Sequence, residues 1–80
     1  MSRQRSASAV PVDLKSVYSS HVSEIGYDGD AQELHVVFNT GRHAVYDGVP
    51  AEVAASVLNA PSIGEALTAS IKGSFRFRYI

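Results

Sequence analysis

An 80-residue chain that is 45% hydrophobic and 19% charged has the make-up of an ordinary globular protein and is too short for two cores. It has no cysteine, which excludes a disulfide framework, a thiolate nucleophile and a cysteine-ligated zinc, and favours a reducing, cytoplasmic setting. The net charge of −1 hides an asymmetry: every acid lies between Asp13 and Glu65, a span holding only Lys15 and Arg42 as basic residues, while Arg3 and Arg5 precede it and Lys72, Arg76 and Arg78 follow it. Basic ends flanking an acidic middle can concentrate positive potential on one side of a nearly neutral domain.

Residues 1–16 mix serine, arginine and alanine with Pro11 and show neither helical nor strand period, so they read as a basic tail, with the domain over residues 17–80. The start lacks the apolar stretch of a signal peptide, and no run approaches the roughly 18–20 apolar residues needed to span a bilayer. From His21 the pattern turns to strands. Ser23, Ile25 and Tyr27 share one parity, Asp28-Gly29-Asp30 breaks the run, and Leu34, Val36 and Phe38 then alternate with His35 and Val37.

Asn39-Thr40-Gly41 suits a three-residue hairpin loop with its glycine in the left-handed position. That loop sets Phe38 opposite Arg42, Val36 opposite Ala44 and Leu34 opposite Tyr46. A two-residue loop would instead turn His43 and Val45 to the core and expose Tyr46. After Asp47-Gly48 the period becomes helical: Pro50 fits the first turn, Val53 and Val57 with Ala54 and Leu58 form adjacent rows, and Asn59-Ala60-Pro61 ends the helix. Ser62-Ile63-Gly64-Glu65 is a capping box opening a second helix that buries Leu67 and Ile71 and ends at Gly73. Ser74 to Ile80 alternates, with Phe75, Phe77 and Tyr79 on one face and Arg76 and Arg78 on the other.

The expected fold is α+β: a three-stranded antiparallel meander packed against two helices, with a short C-terminal strand. The expected core is Ile25, Tyr27, Leu34, Val36, Phe38, Tyr46, Val53, Val57, Leu67, Ile71 and Phe75.

Several of these pieces together resemble the KTSC domain: Ser19-Ser20-His21-Val22 leading into Ile25-Gly26-Tyr27-Asp28, Leu34 to Phe38, Val49-Pro50, Ala60 to Gly64 and Ile71-Lys72-Gly73. That family occurs at the C-terminus of some lysyl-tRNA synthetases and as small stand-alone bacterial and phage-type proteins. The resemblance implies this fold and, through the synthetase association, RNA binding. Its Tyr-x-Tyr hallmark is half kept: Tyr46 matches the second tyrosine and Ala44 replaces the first. The aromatic pair usual after the Ser-x-Gly step is Ala66-Leu67, and Arg76 stands where proline is frequent.

The residue types offer little catalytic chemistry, and no enzyme activity, cofactor or metal is expected. Ser20 and His21 are consecutive and on a strand would point to opposite faces. Asp28, Asp30 and Glu33 cluster at one turn without EF-hand spacing, and the glycines form no phosphate-loop pattern. Two binding readings follow. In the first, RNA or single-stranded nucleic acid is held weakly by Arg3, Arg5, Lys72, Arg76 and Arg78, the Phe75, Phe77 and Tyr79 stripe being either core, which leaves phosphate contacts, or a surface on which bases stack. In the second, a partner protein or a second copy docks on an apolar outer sheet face of His35, Val37, His43 and Val45, or pairs with a free sheet edge.

Overall fold

A computed structural model describes residues 14–17 and 21–80. Among them a single antiparallel sheet runs in chain order, β1 (Lys15–Ser16), β2 (Val22–Asp28), β3 (Glu33–Phe38), β4 (His43–Tyr46) and β5 (Phe77–Tyr79), with helices α1 (Ala51–Leu58) and α2 (Ile63–Ser70) between β4 and β5. The α+β class is as expected, and the sheet has five strands rather than a three-stranded meander with a short addition. β5 pairs with β4 in register Ala44 to Tyr79, Val45 to Arg78 and Tyr46 to Phe77. Lys15 and Ser16, within the stretch read as tail, pair with Ile25 and Glu24.

The central hairpin has the three-residue geometry. Gly41 sits at φ 94°, a conformation that costs glycine little, and Phe38 N–H donates to Arg42 C=O at 2.8 Å. Leu34 faces Tyr46 and Val36 faces Ala44, so these four share the face that the helices cover. Their side chains are 0–3% exposed and join Ile25, Val49, Ala54, Val57, Leu67 and Ile71 in one cluster. Tyr27, Phe38, Val53 and Phe75 pack against its rim, partly buried.

Two departures from the expected pattern have local causes. A bulge between Val22 and Glu24 breaks the β2–β3 register, so the alternation carrying Ser23 inward with Ile25 does not hold. Val22 is fully buried instead, and the Ser23 hydroxyl donates to Asn39 Oδ1 at 2.8 Å. An inserted residue rotates what precedes it to the other face. On α1, Ala54 and Val57 are buried while Leu58 is 37% exposed. The apolar stripe is wider than the surface available to cover it.

The turns are held by side-chain oxygens. Asp28 Oδ1 accepts the N–H groups of Asp30 and Ala31 at 3.1 and 3.3 Å, which makes the carboxylate part of an Asx turn. The Tyr27 hydroxyl donates to Val49 C=O at 2.5 Å, tying β2 to the entry of α1. At α2 the Ser62 hydroxyl accepts the Glu65 N–H at 3.4 Å, the half of the capping box that forms. Gly73 leaves α2 at φ 84°, and the chain then turns back to lay β5 along β4.

Candidate functional site

The two faces of the sheet present different chemistry, and β5 contributes to both. On the helix-covered face, Phe77 and Tyr79 lie at the edge where the helices no longer reach, 53% and 51% exposed. Phe77 is tilted against the buried Tyr46 ring, centroids 5.4 Å apart, and meets Tyr79 edge-on at the same distance. The Arg42 guanidinium carbon sits 4.6 Å from the Tyr79 ring centroid. Phe38, bonded through its N–H to Arg42, carries the Lys72 ammonium 5.3 Å from its own ring centroid. A continuous row results: Lys72, Phe38, Arg42, Tyr79, Phe77, Tyr46. Burial, and secondarily the field of Tyr79, raises the Tyr46 pKa above its ordinary value.

Across the sheet, β5 turns Arg78 to the outer face. Its guanidinium donates to Asp47 Oδ1 at 2.6 Å and to Glu33 Oε2 at 3.2 Å. These bonds, Asp47 first, push an already high pKa further up, and they tie the cation to two carboxylates. Val45, directly across from Arg78, is fully buried, and His35 is 5% exposed. Val37 and His43 are intermediate. The outer face is thus not the open apolar surface that His35, Val37, His43 and Val45 suggested: two of the four are buried, and a charged Arg78–Asp47–Glu33 group lies among them.

The histidines stand diagonally, as the hairpin register requires. His35 Nδ1 is 2.9 Å from His43 Nε2, with the rings edge to face at 5.1 Å. One nitrogen of the pair must donate and the other accept, so one shared N–H fits and two do not. His35 Nε2 has no hydrogen-bond partner and lies 3.6 Å from Glu33 Oε1. Burial, then His43, lowers the His35 pKa, while Glu33 and more weakly Asp28 pull it up. Because the folded value of His35 lies below the unfolded value of about 6.5, neutral His35 contributes stability above that pH that is lost as pH falls through the folded pKa. Urea unfolding of the wild type should therefore show lower stability at about pH 5.5 than at about pH 7.5, a loss that His35→Gln reduces; equal slopes for the two proteins would exclude the histidine as its source.

Among the described residues no group of three or more His, Asp or Glu side chains is arranged to hold a metal ion, and no helix is long and apolar enough to cross a membrane. Ser19 and Ser20 lie outside the described residues, as do Arg3 and Arg5. Of the other cations read as nucleic-acid contacts, Lys72 stands over Phe38, Arg76 is exposed and Arg78 is engaged by carboxylates. The sequence reading missed Arg42 as a site residue. Its signal was present: the hairpin register that sets Arg42 opposite Phe38 already puts it on the aromatic face.

The comparisons agree with this architecture. The model of the KTSC domain family matches residues 18–75, more than half of the chain. An uncharacterized protein of Stutzerimonas stutzeri (strain A1501) is 39% identical over 49 residues, which cover 61% of this chain and 69% of that protein. The crystal structure of a KTSC domain protein from Yersinia pestis superposes with a TM-score of 0.83 at 33% identity, covering 86% of this chain and 97% of that one. With a family model over more than half of its length and a solved relative of the same fold in accord, the chain belongs to the KTSC domain family.

Proposed function

We propose that this KTSC domain is a non-catalytic module that binds single-stranded nucleic acid, RNA foremost, on the aromatic edge formed by β4 and β5. The supporting observation is the half-exposed Phe77 and Tyr79 pair with Arg42 stacked on Tyr79. Exposed rings at a sheet edge offer π-faces to successive bases regardless of sequence, and flanking cations neutralise the phosphates between them. In this reading Phe77 and Tyr79 stack on bases, Arg42 and Lys72 on the same face meet phosphates, and Arg78 serves the fold. The aromatic stripe takes part directly, as the stacking alternative requires.

The test is fluorescence anisotropy with short mixed-sequence RNA and DNA oligonucleotides across a salt series. Affinity should fall steeply as salt rises, and Arg42→Ala with Lys72→Ala should flatten the log–log slope by about 1.4, at roughly 0.7 per lost single-strand phosphate contact. Arg78→Ala should leave that slope unchanged. No detectable binding at low salt would end this proposal.

A further inference from the structure

The free edge of β5 is specific about what can pair with it. Asp47 N–H donates to Arg76 C=O at 2.8 Å, and Ile80 N–H donates to His43 C=O at 2.9 Å, while Arg78 stands across from Val45. Bonding in an antiparallel pair alternates residue by residue. Arg76, Arg78 and Ile80 therefore turn their backbone groups toward β4, and Phe77 and Tyr79 turn theirs away from the sheet. Among the described residues no strand lies beyond β5, and Phe77, Tyr79 and Ile80 are 53%, 51% and 68% exposed there. Unpaired edges with apolar side chains are templates for another strand.

We infer that this edge pairs with the same edge of a second copy, antiparallel about a two-fold axis at Arg78, joining two five-stranded sheets into one. Two features favour a copy of this chain over an unrelated strand, and a third permits it. That axis sets Phe77 against the partner's Tyr79 and Tyr79 against the partner's Phe77, so every outward N–H and C=O of the two residues finds a complement. The same register brings ring against ring on one face, extending the Tyr46, Phe77, Tyr79 row across the junction in the aromatic cross-strand pairing that stabilises sheets.

The third feature is charge. On the outer face the axis brings Arg78 opposite the partner's Arg78, an arrangement that is ordinarily repulsive. Here each guanidinium is already held by Asp47 and Glu33 of its own chain, leaving one surplus negative charge per copy. Two such groups side by side accommodate both cations. Arg76 falls opposite the partner's Ile80, where its aliphatic stem can cover the exposed side chain.

This inference does not depend on nucleic-acid binding and is tested without nucleic acid, by sedimentation equilibrium of the full chain. The wild type should show a monomer–dimer equilibrium in the micromolar range. Tyr79→Pro removes an N–H that faces away from β4, and it should raise the dimer dissociation constant at least about tenfold beyond the effect of Tyr79→Ala. Hydrogen exchange on the wild type gives a reading that requires no variant to fold: protection of the Phe77 and Tyr79 amides should rise with protein concentration. A wild type that stays monomeric at the highest concentration overturns the inference, and so does a dimer whose Phe77 and Tyr79 amides exchange unprotected.

Discussion

Replacing Phe77 and Tyr79 together by alanine should weaken single-stranded RNA binding by about 30-fold or more at low salt. Each base stacked on an aromatic ring is worth about 1–3 kcal/mol by alanine substitution, so two rings contribute at least about 2 kcal/mol, and 1.4 kcal/mol is tenfold. Both rings are half exposed, so the fold should survive, as circular dichroism of the double variant would verify. The salt slope should stay close to that of the wild type because no phosphate contact is removed. An affinity change below about threefold in a folded variant would rule out stacking on these rings. Combined with the Arg42 and Lys72 variants, this separates what the rings do from what the charges do.

Leu34→Ala is the substitution with the largest expected effect on stability. Leu34 is fully buried at the centre of the sheet, with Tyr27 and Tyr46 as its register partners on either side. Truncating a buried leucine costs about 2–5 kcal/mol through lost burial and the cavity left behind. At roughly 0.05–0.15 kcal/mol per residue a domain of this size has only several kcal/mol in total. Urea melts followed by circular dichroism should show most of the stability gone. Leu58→Ala, at a position 37% exposed, should cost under about 1 kcal/mol. A comparable loss at both positions would mean that Leu58 is held in a way its exposure does not reveal.

The local chemistry that shapes the hairpin was legible from residue types alone. A glycine in the third position of Asn39-Thr40-Gly41 selects one loop, the loop selects one register, and the register decides that Leu34, Val36, Ala44 and Tyr46 share a face. The serine that caps α2 and the glycine that releases it were legible for the same reason: a backbone group or a positive φ at a helix end has few satisfactory residues. The bulge at Val22 to Glu24 was not legible, because a single extra residue carries no composition signal and merely reverses the parity of what precedes it.

The candidate site divides in the same way. Alternation along Ser74 to Ile80 correctly separated the aromatic face from the arginine face, and the hairpin register put Arg42 on the aromatic side. Burial was a different matter. Whether Phe77 and Tyr79 are core or surface depends on which strand β5 joins and how far the helices extend over it, and β5 lies at the sheet edge, beyond that cover.

The fate of each arginine was likewise decided across long sequence separations. Arg78 meets Asp47 and Glu33, 31 and 45 residues away, whereas the Arg42 guanidinium stands over the Tyr79 ring. The α+β architecture, the hairpin register and the alternation of rings and cations could be read from residue order, because each follows from local backbone geometry and period. Which rings stay open and which cations are neutralised emerged only from the folded chain, because exposure and ion pairing arise between segments that no local pattern brings together.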